Sequence, residues 1–451
     1  MKKRMKKVAT LCLAGITAMS TVGVTGSAVF AKGDTNYDVD NMDFKNVELR
    51  VAFRFNNGSD TDGQGKWYYK ALDEFNKENK GKIHVTDESI STESDYEEKL
   101  TTDFASGNVP NAFLQYGGSR TREYVDAGYI LDLTPYFKQY PEWKEGVQDF
   151  AWETTQFDGI EGTYGIPWSA YQLCLYYNKD YLDQVGVDVP ESWDDLVDAC
   201  AKLKEAGIQP FNYSDKDNYH FEHLMSALAL KAYGTSIADD LASDKEAYNG
   251  KKMVAIYQKM KDMIDAGYWG DGILSTDFNT ERNMFEAGKA AFTIDGTWNC
   301  GNFQNDSDTT LFDAQKIGVT RIPYIDEANK TVEMGGGSDT YYITTLNKSD
   351  EEIAATVKFI KYLTSVDSIN EMCKSSPTTY AEKVTIDTGN YLLDDVNAIM
   401  AENTKSKLEI PTYDSNTAAM DTIRNSLQAL ATGASAQEVG DDIVDKMSAY
   451  E

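Results

Sequence analysis

The stretch that decides the fold lies at residues 163–180 and reads Thr-Tyr-Gly-Ile-Pro-Trp-Ser-Ala-Tyr-Gln-Leu-Cys-Leu-Tyr-Tyr-Asn-Lys-Asp. A glycine and a proline interrupt its first turn, and residues 173–177 form a run that favours a β-strand. Asn178 or Asp180 can cap the helix that follows, and Gly186 can end it. The stretch therefore predicts a crossing segment, a buried strand and a helix in immediate succession.

The same alternation of strand and helix patterns extends along the chain. Strands and helices are predicted in turn at 47–53, 68–75, 83–86, 96–104 and 112–116. Further along, Ser192 and Asp195 form a capping box at the start of another helix. Alternation of this kind indicates an α/β layer fold. No low-complexity linker separates the segments, so the sequence predicts interwoven lobes rather than domains in series.

The N-terminus has the pattern of a cleaved secretory signal. Five of the first seven residues are basic, an apolar run of small residues starts at Val8, and a small-residue cleavage site ends at Ala31. We expect residues 1–31 to be removed and a secreted chain to begin near Lys32. A membrane anchor is the alternative, but Thr, Ser and Gly dilute the apolar run. The remaining length exceeds what one core usually serves, so two lobes are expected.

The charge of the chain restricts its partners. The formal net charge is −30 at pH 7, and removal of the basic signal would make it more negative. Such a surface repels nucleic acid and anionic membranes. It favours neutral or cationic ligands.

Four cysteines remain after the signal: Cys174, Cys200, Cys300 and Cys373. Their spacing contains no CxxC pair and no metal-binding pattern. We predict buried apolar thiols, with a disulfide as the alternative that a secreted protein leaves open.

Four segments together resemble one known family. They are 103–111, 163–193, 285–298 and 335–343, and they follow the order and spacing of the extracellular solute-binding proteins of sugar ABC importers, the maltose-binding-like group. Asn111 stands where that group usually has Asp. Its members on single-membrane bacteria are usually lipoproteins, but Cys12 lies inside the apolar run, so no lipid is expected there.

The resemblance implies a two-lobed, periplasmic-binding-protein-like α/β fold of class II with a ligand cleft. It implies crossings near 167–172, 335–340 and 396–402. The corresponding lobes are 32–168 with 340–398, and 169–335 with 399–451. It further implies a non-enzymatic protein without a cofactor, which binds a mono- or oligosaccharide and delivers it to a membrane permease.

Trp298 is the leading candidate for ligand contact. It follows the predicted strand 291–294 through a turn at Asp295 and Gly296, and ligands of open α/β sheets bind beyond the carboxyl ends of strands. An indole face suits the C–H face of a pyranose. A tryptophan of the core is the alternative interpretation.

The resemblance places further contacts in loops and crossings. On the first lobe the candidates are Arg54, Asn56, Asn57, Tyr116, Ser119 and Arg120. Elsewhere they are Trp168, Tyr171, Tyr219, His220, Glu222, Asp295, Gly336, Asp339 and Asp414. Solvated loops are the alternative for the first set, hinge packing for Trp168 and Tyr171, and a surface position for His220.

Signatures of catalysis or metal binding are missing from the sequence. Its carboxylate pairs belong to no glycosidase motif, and its three histidines form no zinc or triad signature. Residues 60–65 resemble part of a calcium loop but lack the terminal Glu. We therefore predict a sugar-binding transport protein. The rivals are a secreted glycoside hydrolase and a same-fold binder of a polyamine or peptide.

Overall fold

The computed structural model describes residues 36–55, 63–157, 159–305, 310–414, 416 and 418–449, without the side chains of 93, 94 and 119. The predicted signal, Asn56, Asn57 and the side chain of Ser119 lie outside the described residues. All elements below belong to the compact unit Tyr37–Glu451. Within the described residues, no helix is long and apolar enough to cross a membrane.

The strands are β1 (Val47–Ala52), β2 (Ile83–Asp87), β3 (Ala112–Tyr116), β4 (Ile166–Pro167), β5 (Ala170–Asn178), β6 (Phe292–Gly296), β7 (Ile317–Arg321), β8 (Val332–Gly337), β9 (Asp339–Ile343) and β10 (Lys405–Lys407). The α-helices are α1 (Gly63–Glu78), α2 (Glu93–Ser106), α3 (Ser119–Asp126), α4 (Thr134–Gln139), α5 (Pro141–Gly146), α6 (Lys179–Val185), α7 (Trp193–Glu205), α8 (His220–Tyr233), α9 (Ser236–Ser243), α10 (Lys251–Asp265), α11 (Phe278–Glu286), α12 (Asn299–Asn305), α13 (Thr310–Asp313), α14 (Asp350–Leu363), α15 (Val366–Ser375), α16 (Tyr391–Ala401), α17 (Ala418–Leu427) and α18 (Ala436–Ser448). Short 3-10 helices lie at Asp149–Thr155, Lys245–Asn249, Glu327–Asn329, Ile410–Tyr413 and Gln428–Thr432.

The strands form two separate sheets. The first has the order β2-β1-β3-β9-β4, with β1 parallel to β2 and β3 and with β9 antiparallel to β3 and β4. The second has the order β10-β8-β5-β6, and β7 also pairs with β5. Because β9 runs against β1 and β3, its N-terminal end lies beside their carboxyl ends. That shared edge brings loops from distant parts of the sequence together.

The central strand β5 has both faces buried. Leu173 and Leu175 face a core that packs helices such as α7, α8 and α18 on the second sheet. Cys174 and Tyr176 face the other core, which also holds α1, α14 and α15 against the first sheet. Side chains alternate between the faces of a strand, so burial of both faces requires a continuous apolar run.

Local sequence signals begin and end the helices as predicted. The Asn178 side chain accepts a hydrogen bond from the Asp180 backbone at 3.0 Å at the start of α6. Gly186 ends that helix with φ 66°, a conformation that glycine adopts without steric cost. Ser192 and Asp195 form the predicted capping box of α7.

The chain crosses between the sheets twice by short extended segments. It leaves the first sheet after Pro167 and enters the second at Ala170, and it returns between Gly337 and Asp339. The third crossing expected at 396–402 stays a prediction; its first residues belong to α16, which packs along β7 of the second sheet. The lobe boundaries stay a prediction.

The predicted state of the cysteines is confirmed for the described residues. Cys174, Cys200, Cys300 and Cys373 are all free and buried. Burial raises the pKa of each of these thiols. They therefore act as small apolar side chains of the core.

Candidate ligand-binding cleft

Three predicted site residues meet at the shared edge of the first sheet. Arg54 follows β1, Tyr116 ends β3 and Asp339 begins β9. Arg54 Nη1 donates a hydrogen bond to Tyr116 Oη at 2.5 Å, and Arg54 Nη2 forms an ion pair with Asp339 Oδ1. The crossed directions of the strands thus unite side chains that are far apart in sequence.

Asp339 is also fixed by the first crossing segment. Ser169 Oγ donates to Asp339 Oδ2 at 3.2 Å and accepts from the Asp339 backbone N–H at 2.9 Å. These bonds join the two crossing segments to each other and to Arg54 and Tyr116, which together with Arg120 we call the Arg54 wall. Any ligand contact with Arg54 would therefore act on the hinge region directly.

Arg120 completes this wall. The guanidinium carbons of Arg54 and Arg120 lie 4.2 and 5.2 Å from the centroid of the Tyr116 ring, within the range of cation–π attraction. Arg120 Nη1 lies 3.5 Å from Glu97 Oε1. Each guanidinium thus has a carboxylate partner, so the wall has little net charge.

Trp298 follows β6 of the second sheet and is half-buried. Its indole covers Gly296, since a Cβ added there would lie 2.2 Å from Trp298 Cζ3. It lines a cavity of about 280 Å³ between the start of α1 and helices α11 and α12. The other lining residues are Gly63, Gln64, Phe278, Asn279, Arg282, Asn302, Asn305, Ser376 and Thr378. One indole surface is thus available to a ligand among amide and hydroxyl groups and the guanidinium of Arg282.

The family of the chain is decided by its sequence match, which agrees with this two-sheet geometry. Residues 57–368 match bacterial extracellular solute-binding proteins. The chain belongs to this family. It is similar to a binding protein of Brucella abortus (strain 2308), with 27% identity over 274 residues, covering 58% of this chain and 61% of that relative. It is 22% identical over 375 residues to the galactooligosaccharide-binding protein of Bacillus subtilis (strain 168), covering 80% of this chain and 81% of that protein.

A solved structure supports the fold. The sugar transporter of Bacillus licheniformis in complex with stachyose matches with a TM-score of 0.71 and 18% identity, over 90% of this chain and all of that chain. This likeness shows the fold alone. The predicted two-lobed, periplasmic-binding-protein-like α/β fold is confirmed.

An aromatic group supports Trp298 from beneath in this solute-binding protein. The Tyr171 ring lies 5.6 Å from the Trp298 ring and stacks with the ring of His223 at 6.3 Å. Tyr219 is half-buried and packs edge-on against His223 at 4.9 Å. Because Tyr171 is only 3% exposed, it supports the indole rather than presenting a face of its own.

His220 is buried, so its surface interpretation is wrong. Its Nδ1 lies 2.8 Å from the carbonyl oxygen of Ser214 and 3.3 Å from Glu281 Oε2, and its Nε2 lies 3.7 Å from Asp295 Oδ1. Burial alone would lower the pKa of His220, but Asp295 and Glu281 outweigh it and raise that pKa well above 6.5. His220 and Asp295 thus form an interior ion cluster below the Trp298 turn.

This cluster predicts a pH dependence of stability. Since the pKa of His220 is higher in the folded than in the unfolded chain, its stabilisation is complete below about pH 6.5 and is lost as pH rises through the folded pKa. The loss of unfolding free energy in His220→Gln should therefore be largest at pH 6 and shrink towards pH 9. Urea unfolding at several pH values measures it. Asp215, whose pKa burial raises to about 6, is present in both the wild type and the His220→Gln variant. A pH-independent difference would contradict this assignment.

Glu222 is fully buried, which leaves it no surface to offer a ligand. It accepts a hydrogen bond from Ser226 Oγ at 2.7 Å and forms an ion pair with Arg424 Nη2 at 3.3 Å. Its neighbour His223 pairs with Glu409 at 3.2 Å. Burial alone would raise the pKa of Glu409, but the hydrogen bond and charge of His223 lower it to about 2. The Glu409 carboxylate therefore stays ionised under ordinary conditions.

Three other predicted contacts have structural explanations. Trp168 is 3% exposed and packs among Phe55, Tyr341 and Tyr380, in agreement with the hinge-packing alternative. Gly336 belongs to β8, and a Cβ there would lie 2.9 Å from Leu408 Cδ2, so the chain itself fills that space. Asp414 is half-buried and accepts a hydrogen bond from the Asn416 backbone at 2.7 Å.

Most residues of the Trp298 cavity were missed by sequence reasoning. Gln64 lies in the first turn of α1, whereas Asn279 and Arg282 lie on α11 and Asn302 on α12. Arg282 Nη1 donates to Asn279 Oδ1 at 3.1 Å, and Asn302 Nδ2 donates to Asn299 Oδ1 at 3.1 Å. None belongs to a sugar-binding motif. The one usable signal was the run of amides that follows Trp298.

Proposed function

We propose that this solute-binding protein captures a neutral sugar or oligosaccharide in the cleft and delivers it to the membrane permease of an ABC transporter. The observation that carries the proposal is the cavity that half-buried Trp298 lines together with amide and hydroxyl side chains and the guanidinium of Arg282. A pyranose offers an apolar C–H face to an indole and hydroxyls to amides, which suits both parts of that lining.

The charge distribution argues against a cationic ligand. Arg54 is paired with Asp339, and Arg120 with Glu97, so the Arg54 wall has no excess of negative charge to attract a polyamine. The described lining of the Trp298 cavity contains no carboxylate. Similarity to a galactooligosaccharide-binding protein points in the same direction.

The same lining supports binding without hydrolysis. Glycoside hydrolysis generally requires two carboxyl groups on opposite sides of the scissile bond. Near Trp298, Asp295 is buried and accepts hydrogen bonds from the Gly296 backbone at 2.8 Å and from Asn299 Nδ2 at 3.2 Å. Its oxygens are therefore engaged by hydrogen bonds within the protein. We further propose that the protein is secreted and that its partner is a membrane permease.

Closure of the lobes around the sugar is the expected mechanism. Short crossing segments connect the sheets, and a ligand that contacts both walls favours the closed state through those additional contacts. We expect the radius of gyration from X-ray scattering to fall at saturating sugar. An unchanged radius alongside calorimetric evidence of binding would contradict closure on binding.

A further inference from the structure

A segment near the C-terminus, residues 407–413, is anchored to the second-sheet side of the cleft; we call it the strap. His223 Nε2 lies 3.2 Å from Glu409 Oε1, and the Ile410 backbone N–H donates to Ser226 Oγ at 3.0 Å. Both partners lie on α8, a helix of the second core. The strap therefore moves with the second sheet.

The other side of the strap contacts the Arg54 wall of the first sheet. A Cβ added to Gly118 would lie 2.5 Å from Thr412 Cγ2 and 3.1 Å from the Thr412 carbonyl oxygen. Gly118 lies between β3 and α3, that is, between Tyr116 and Arg120. We call this contact of Gly118 with Thr412 the seam.

The seam is linked through the strap to the aromatic group. His223, which holds Glu409, also packs against Tyr171 and Trp298, at ring distances of 6.3 and 6.4 Å. One end of the strap thus rests on the supports of the indole. The other end contacts the loop between Tyr116 and Arg120.

We propose that the strap is the closing contact of the cleft, so that the tightness of the seam sets the apparent affinity for ligand. This inference rests on the proposed function. Thr412 and Gly118 act as positioning residues that bear on the ligand only through the open–closed equilibrium. Apparent affinity falls in proportion to the population of the closed state, so a wedge in the seam weakens binding without removing a ligand contact.

The test is a wedge with a matched control. In Gly118→Ala the new methyl group meets Thr412, whereas in Gly128→Ala nothing lies within 4 Å. Both glycines have positive φ angles, 69° and 72°, so each substitution carries backbone strain, and the ψ angle of −139° adds to it at Gly118; the double variant described next shares that strain with Gly118→Ala and isolates the steric part. We expect calorimetric affinity for the best sugar of a screen to fall about tenfold or more in Gly118→Ala, as overpacking predicts, and less than about twofold in Gly128→Ala.

A rescue distinguishes the seam from general damage. Thr412→Ser removes the Cγ2 methyl that would clash, so Gly118→Ala with Thr412→Ser should recover most of the lost affinity. Thr412→Leu places a larger side chain in the seam without altering a glycine. It should weaken binding and raise the radius of gyration at saturating sugar.

The outcomes separate this inference from the function beneath it. Equal affinities of Gly118→Ala and Gly128→Ala, no recovery in the double variant, or wild-type affinity in Thr412→Leu would each overturn the role of the strap. If the wild type binds no sugar at all, the proposed function fails, and the strap proposal with it.

Discussion

Replacing Trp298 with alanine should weaken sugar binding by about 30- to 1000-fold, the effect typical of losing a central aromatic anchor. The indole is half-buried and lines the cavity, so its loss removes ligand contact while much of its surface was not part of the core. The melting temperature should therefore fall only moderately. Calorimetry with the best sugar, and thermal unfolding without ligand, measure the two effects.

Trp269 provides the matched control for this prediction. It is 1% exposed and packs in the second core against Tyr213 and Phe221. Trp269→Ala should lose about 3–5 kcal/mol of stability through the cavity it creates. If Trp298→Ala kept wild-type affinity, or lost as much stability as Trp269→Ala, Trp298 would be a core residue rather than a ligand platform.

Removing the charge of Glu333 should destabilise the protein by about 3–5 kcal/mol, because it leaves buried cations without their partner. Glu333 Oε1 lies 2.8 Å from Lys231 Nζ and 2.7 Å from Arg321 Nη1, and both Glu333 and Lys231 are 1% exposed. Burial raises the pKa of Glu333 and lowers that of Lys231, although each is held towards its charged form by the other. Glu333→Gln keeps the side-chain size and removes the charge.

An exposed ion pair supplies the comparison. Glu74 lies 3.9 Å from Lys70, with both side chains more than half exposed, so Glu74→Gln should change stability by less than about 1 kcal/mol. Urea unfolding at pH 7 gives both values. A loss in Glu333→Gln no larger than that in Glu74→Gln would show that the buried cluster does not stabilise the second sheet.

Much of the fold could be predicted because local signals and global packing agree. The strand at 112–116 and the caps at Asn178 and Ser192 occur where the sequence places them. Each depends on residues within a few positions of one another. The packing of α16 could not be predicted in this way, because that helix is held by contacts between residues far apart in sequence, such as that of Arg321 Nη2 with the Ile399 carbonyl oxygen.

The candidate site was harder to predict for the same reason. Sequence position shows that Asp295 and Trp298 lie at the carboxyl end of a strand, but not which of them points inward. Asp295 is buried because His220 lies behind it, whereas the Trp298 ring lies over a glycine and reaches the cavity. The partners of Trp298 come from α1, α11 and α12, and only the folded chain brings those helices together.

The central claim is that this solute-binding protein binds a neutral sugar, and direct calorimetric titration tests it most simply. The mature chain would be titrated with raffinose, stachyose, maltotriose and xylotriose, and in parallel with spermidine and a tripeptide. We predict saturable one-to-one binding of at least one sugar and none of spermidine or the peptide. One-to-one binding of spermidine or the peptide, with no heat from any sugar, would contradict the claim.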